Sequence, residues 1–394
     1  MAYTLLDAVS AGILSNAPVM AVKAMHATDA QLQLPQAMTS LGLFASIFTG
    51  AAMATRHKRP FVVVPGILSG IAALLMAWTG SALWFLAAAG VIQIFDFAIR
   101  PAIPSILRII YPEHCRAHVA GTLRQYASVV FLCSTLLFAS LLSASSNHIW
   151  RMIRIEITLA GVATLAAFLC FRQLPNHGDG SAKEATPIGH LSGGYSSASL
   201  EPWKDRQFRR YLAVFFLFAS GNLFFQGIVP AFFATDLGYG YVRTTLLIHI
   251  VPAITAFLIG GRLTAWFDRT SVWRSYAFVA LLWGLDPMLL ALMPFAWPVV
   301  LVARMIRGPA TVGSIVLAYY TGVHSFSRPG PGTSFYMTAF ILVNGLARLI
   351  APTATALVSG HMSHRTILFC GALGVLAASA CFRLCEGRDD ASGR

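Results

Sequence analysis

Apolar runs of about 20 residues recur along the whole chain, separated by short polar breaks. FVVVPGILSGIAALLMAWTG (61–80), RQYASVVFLCSTLLFASLLS (124–143) and TILFCGALGVLAASACF (366–382) are apolar on all sides, not along one stripe. Runs of this length match the hydrocarbon thickness of a bilayer, whereas a spanning barrel would show segments of about ten residues alternating in polarity. Breaks at Gly, Pro and charged residues predict helices at 4–25, 36–54, 61–79, 82–109, 119–143 and 149–172. A second set follows at 209–233, 242–266, 272–293, 296–322, 333–359 and 364–385. The expected fold is an all-α polytopic membrane protein, with twelve transmembrane helices in two six-helix pseudo-symmetric bundles.

Between the sets lies NHGDGSAKEATPIGHLSGGYSSASLEPWKDRQ (176–207), too polar to span and too poor in periodic apolar residues to fold alone. The expected division is an N-terminal bundle at 1–174, a cytoplasmic linker at 175–207, a C-terminal bundle at 208–388 and a short cytoplasmic tail at 389–394. The N-terminus lacks a basic n-region and carries Asp7, so it reads as a first spanning helix and not as a signal peptide.

Composition agrees with this pattern: 57% of the 394 residues are hydrophobic and 11% are charged, which excludes an ordinary soluble enzyme. The formal charge of +13 sits in short clusters between apolar runs, which speaks for membrane topology and against nucleic acid as a partner. One set of alternate loops collects most of the Lys and Arg, including Arg56, Lys58, Arg59, Arg206, Arg209, Arg210, Arg269 and Arg274. The other set holds only Lys23, Arg151, Arg154, Arg243 and Arg365. That asymmetry predicts a multi-pass protein of the cytoplasmic (inner) membrane with both termini cytoplasmic, although Lys23 alone would argue the reverse for the first helix. The six cysteines fall in or beside apolar helices and read as buried thiols.

The two halves repeat an order of features. The second helix of each ends in a basic turn, TRHKRP (55–60) and WFDRTSVWR (266–274), and the fourth carries charge inside an apolar run. With six helices, a linker and six more, the chain resembles the major facilitator superfamily of secondary transporters over nearly all its length. The family's loop signature is a Gly, an acid four residues on, a basic residue, then Gly and a basic pair. The first copy here keeps Gly50 and the pair Lys58–Arg59 but has Ala54 where the acid belongs and His57 where the second Gly belongs. The second keeps Asp268–Arg269 after Gly261 at a stretched spacing. The resemblance assigns Gly50, Lys58, Arg59, Asp268 and Arg269 to a conformational latch. The drug–proton antiporter signature of the fifth helix and the sugar-porter signatures are absent, so no subfamily is assigned.

In that family helices 1, 4, 7 and 10 line a central cavity, and this chain places charge on two of them. IFDFAIRPAIPS (94–105) sets Asp96 and Arg100 four residues apart ahead of two prolines, and the tenth helix carries Arg304 and Arg307. Charge inside a membrane is expensive enough to mark function. Asp96 could face Arg100 or an Arg of helix 10, a pair of alternatives suited to a switch. Arg304 and Arg307, with Arg348 on helix 11, suit a carboxylate or phosphate. Asn16, Gln93, Asn222 and Gln226 complete the candidate substrate-binding set. Asp96, Asp7 and His249 are the candidates for proton coupling. Glu156 and Asp286, on helices expected to face lipid, read as structural pairs, Glu156 with Arg151 or Arg154. Gly42 and Gly50 suit close helix approach.

No Walker motif, metal cluster or nucleophile–base arrangement appears, so neither an enzyme nor a cofactor is expected. The sequence thus predicts secondary active transport of a small solute, with an organic anion favoured, by alternating access with protons as the coupling ion. The expected partners are the solute and membrane lipid, and the chain is expected to act as a monomer. The alternatives are a transporter-like receptor or assembly partner without flux, and a drug or metabolite efflux pump.

Overall fold

A computed structural model of the chain describes residues 1–53, 59–99, 106, 113–173, 201–293, 296–317, 322–323, 325–326 and 333–391. The long helices are numbered here in chain order. The first six are α1 (Ala2–Met25), α2 (Asp29–Met53), α3 (Pro60–Ala77), α4 (Ala82–Ile99), α5 (Glu113–Ala144) and α6 (Ile149–Arg172). The others are α7 (Arg206–Asp236), α8 (Tyr241–Phe267), α9 (Val272–Leu292), α10 (Trp297–Val316), α11 (Thr333–Val358) and α12 (His364–Ala391). Among the described residues, 11 helices are long and apolar enough to cross a membrane. At about 1.5 Å per residue, the 18-residue α3 spans roughly 27 Å, close to the hydrocarbon thickness.

The helix omitted from that set is α2, which is also longer at its start than the apolar pattern suggests. Thr28 and Gln31 form a capping box: the Gln31 amide donates to Thr28 Oγ1 at 3.3 Å, and the Thr28 amide donates to Gln31 Oε1 at 3.0 Å. The cap starts the helix ahead of Pro35, which lies inside it. Most of the expected linker and the extension of helix 4 beyond Ile99 lie outside the described residues.

The chain divides into two compact units, one of Met1–Pro187 with Tyr239–Thr245, the other of Ile188–Gly238 with Leu246–Arg394. In the first, α1 packs on α5 and α6, α3 packs on α4 and α6, and α2 packs on α4. In the second, α7 packs on α11 and α12, α9 packs on α10 and α12, and α8 packs on α10. The pairing scheme of one unit is repeated by the other with each helix moved on by six. Charged loops hint at this repeat; the packing displays it.

The first helix of each unit also breaks at the same place relative to a proline. In α1, Ser15 and Asn16 separate Ala2–Leu14 from Ala17–Met25, and Pro18 leaves the Leu14 carbonyl without its i+4 amide. In α7, Gly227 and Ile228 interrupt the helix ahead of Pro230, and a π turn at Phe232–Asp236 follows.

Glycines set the closest contacts. On α2, a Cβ at Gly42 would lie 2.7 Å from the Ile94 carbonyl of α4. On α10, one at Gly308 would strike Thr255 Oγ1 and the Pro252 carbonyl of α8. Backbone meets backbone at both places, the usual way for membrane helices to gain packing energy without hydrophobic drive. The outward faces carry side chains such as Phe257 (78% exposed) and Leu357 (75% exposed), which suit lipid and not water. Since an added methylene in such a contact costs about 1–3 kcal/mol, Gly308→Val is expected to lower the melting temperature in detergent. Exposed Gly261→Val, with open space around its Cβ, is expected to leave it near wild type.

Candidate functional site

The densest buried charge lies in the second unit. Asp286 of α9 is 0% exposed, and Arg304 and Arg307 of α10 are 2% and 7% exposed. Arg304 Nη1 lies 3.2 Å from Asp286 Oδ1 and donates to Oδ2 at 3.2 Å. Arg307 Nη1 donates to Oδ2 at 3.3 Å. One carboxylate thus holds two guanidiniums, which sit one turn apart on α10 and share its face. The sequence offered Asp96 as one candidate partner of these arginines; the acid that pairs with them within their own unit is Asp286. Asp286 is thus a paired acid on helix 9, as expected of it, and its partners are the two arginines of α10.

Local backbone chemistry holds Arg304. A π register joins each carbonyl to the amide five residues on, and α8 has a π turn at Leu246–Ile250. Five residues beyond Leu247 stands Pro252, which has no N–H. The Leu247 carbonyl therefore accepts from Arg304 Nε, at 3.2 Å. Arg304 also lies 5.8 Å from the Phe233 ring centroid.

Arg307 is held by aromatic faces. Its guanidinium lies 3.6 Å from the Trp283 centroid and 5.8 Å from that of Phe225. The Trp283 indole is fixed by donation from Nε1 to the Ala310 carbonyl at 2.8 Å. Trp283 and Asp286 are three residues apart on α9, so ring and carboxylate present the same face to α10. Arg307 hydrogen-bonds through Nη1, and its other N–H groups have no protein acceptor among the described residues. Two guanidiniums against one carboxylate leave a formal excess of one positive charge in an aromatic-walled, water-poor setting.

The remaining predicted substrate residues lie on several helices of both units. Asn222 and Gln226 are half-buried on α7, flanking the Phe225 that approaches Arg307, and the Asn222 Oδ1 is buried without a hydrogen bond. Arg348 is half-buried on α11. In the first unit, Asn16 donates from Nδ2 to the Thr135 carbonyl at 3.1 Å and accepts from Thr245 Oγ1 at 2.8 Å, so both ends of its amide are engaged at the α1 break. Gln93 and Asp96 are exposed on α4, with the Tyr3 hydroxyl within electrostatic reach of Asp96 and of half-buried Asp7. His249 is half-buried in the π turn of α8. Lys58 and Arg100 lie outside the described residues, so the expected Asp96–Arg100 pair has no structural description. Of the latch residues, Gly50 lies in α2, Arg59 is half-buried, and Asp268 and Arg269 are exposed just past α8.

Glu156 also departs from expectation. It is 0% exposed on α6, while Arg151 and Arg154 are exposed and Arg154 lies over the Trp78 ring at 5.9 Å. Residues two apart on a helix do not face each other, so Arg154 was never placed to pair with it. Three participants in the cationic site escaped sequence reading: Trp283, Phe225 and Phe233. The available signal was an acid inside an apolar run, followed directly by proline, in WGLDPM (283–288).

Comparison with known proteins follows this geometry. The family model described as Major Facilitator Superfamily matches residues 1–352. No curated protein sequence matches the chain. Among solved structures, a mutant of the nucleoside transporter NupG is similar with a TM-score of 0.73 and 12% identity, covering 98% of each chain. A bacterial homolog of the human lysosomal transporter Spinster, in an inward-facing and occupied conformation, is similar at 0.68 and 15% identity, over 98% of this chain and 95% of that one. A POT family transporter in complex with 5-aminolevulinic acid is similar at 0.67 and 14% identity, over 97% and 95%. At such identities the likeness is one of fold.

Removing one partner from a buried ion cluster costs about 3–5 kcal/mol, because the remaining charge stays desolvated. Asp286→Asn, which leaves two uncompensated guanidiniums, is expected to lower the melting temperature sharply. The triple change Asp286→Leu, Arg304→Met, Arg307→Met is expected to recover much of the loss. Equal destabilisation by both would show that shape, not charge compensation, governs this region.

Proposed function

The chain belongs to the major facilitator superfamily, and from that premise we propose that it moves a small organic anion across the membrane by alternating access, coupled to protons. The observation that carries this reading is the uncompensated charge at Arg307. A cationic group in a low-dielectric setting favours an anion strongly, and a guanidinium offers carboxylate or phosphate two parallel hydrogen bonds. Arg307 enters this role with its orientation already set by Trp283 and one N–H group held by Asp286. Arg304 is engaged on the Leu247 carbonyl as well as on Asp286, which suits it to position the pair.

In this reading Asp286 has two duties. Without an anion it neutralises part of the charge and keeps the site folded. When an anion arrives, it competes for the Arg307 Nη1 group, and a change of partner is the kind of two-state event that ligand binding can bias. Asn222 and Gln226, on either side of Phe225, are the proposed polar contacts for the rest of the solute. Gln93, Asn16 and Arg348 remain proposed members of the same pathway, and Asp96, Asp7 and His249 proposed participants in coupling.

The test is a melting screen of the purified protein in detergent with phosphate, sulfate, succinate, citrate, neutral sugars and cationic drugs. A ligand that binds only the folded form raises the melting temperature by mass action. One or more anions are expected to raise it, and Arg307→Gln is expected to remove the rise. A rise with cations alone, or an anion effect indifferent to Arg307→Gln, would overturn the proposal.

A further inference from the structure

The first unit contains a buried acid that the anion site does not use. Both carboxyl oxygens of Glu156 are buried, and neither has a hydrogen-bond partner among the described residues. The Tyr241 hydroxyl, within electrostatic reach of this carboxyl, is likewise buried without a partner. Both residues belong to the same compact unit. Buried Ser10, Asn16 and Thr164 of the same unit are hydrogen-bonded, and Gln33, whose amide atoms are also unpartnered, has no exchangeable acid proton; Glu156 and Tyr241 are two unpartnered groups within electrostatic reach of each other.

Among the described residues, no cation from the elements packed against α6 pairs with Glu156. Residues 60–77 of α3 and 125–144 of α5 contain no charged side chain. On α1, Lys23 directs Nζ over the Tyr241 ring at 5.4 Å and makes no ion pair with Glu156. Asp7 and Asp96 approach the Tyr3 hydroxyl, whose ring packs on Phe168 and Phe171, roughly 18 Å along α6 from Glu156. His148 and Arg243 are exposed, as are Arg151 and Arg154. An ionised carboxylate left alone in such a place costs several kcal/mol. A metal cation would want about six oxygen ligands, more than the carboxyl and one hydroxyl provide; a proton needs only the carboxylate.

We propose that Glu156 is the residue on which this transporter carries its coupling proton, shut off from water in the conformation described here. The inference rests on the proton-coupled reading above. On release, the proton leaves one carboxyl oxygen for water and Glu156 becomes an anion, towards which the Tyr241 O–H can turn. The step is a plain acid–base exchange that needs no other reactant. Asp7, Asp96 and His249 are the competing carriers.

The experiment uses the full chain in proteoliposomes adsorbed on a solid-supported membrane, with a rapid pH jump and no solute. Binding of a proton within the low-dielectric region displaces charge and gives a transient current. The wild type is expected to give the transient and Glu156→Gln to lose it. Gln matches Glu in shape, and its melting temperature and its rise with the anions of the melting screen report folding and the Arg307 site independently. Persistence of the transient in Glu156→Gln, or its absence from the wild type, would overturn the assignment. Loss of the anion-dependent melting rise in the wild type would instead count against the anion site and leave the proton site standing.

Discussion

Everything polar in this molecule is governed by one constraint: inside a bilayer a charge must find its compensation within the protein. The cluster of Asp286, Arg304 and Arg307 meets that constraint incompletely. One carboxylate serves two guanidiniums, and the shortfall is eased by a backbone carbonyl and by aromatic faces. Each easing contact has a local origin in the chain. The free Leu247 carbonyl follows from Pro252 and the π turn, and the position of the Trp283 ring follows from its bond to the Ala310 carbonyl. Stability alone would favour apolar residues here, because well-packed hydrophobic replacements of buried ion clusters are often as stable or more so. A retained, under-compensated charge is therefore better explained by a ligand than by the fold.

The architecture shows why such a site can exist. Each unit packs its helices in the same scheme, and its first helix is broken just ahead of a proline, at Ser15 and Asn16 before Pro18 in one and at Gly227 and Ile228 before Pro230 in the other. Repetition gives two similar frameworks, and the buried charges differ between them: a cationic cluster on α9 and α10 in one, a lone carboxyl on α6 in the other. The frame is shared while the chemistry is specialised, as expected where function is carried by sites grafted on a common fold.

Much of the frame was legible in the sequence because hydrocarbon thickness sets helix length, and a run of 20 apolar residues has few other uses. The α2 start was missed because a capping box at Thr28 and Gln31, not an apolar residue, begins the helix. Arg304 and Arg307 were legible as charges within an apolar run. Their partner was not, because α9 is apolar all round and its sequence gives no phase from which to tell that Asp286 faces α10. Likewise the reading of Glu156 as a partner of Arg154 relied on nearness along the chain, and helical geometry turns those side chains apart. Residue type was readable throughout; the direction in which a side chain points was not.

Arg307 has N–H groups without a protein acceptor among the described residues, and the proposed anion would take them. Crystals grown with selenate, an anomalously scattering oxyanion, would locate that anion directly. An anomalous peak is expected within hydrogen-bond distance of the Arg307 guanidinium, bordered by Trp283 and Phe225. Selenate sites elsewhere, with none at Arg307, would contradict the proposed anion site.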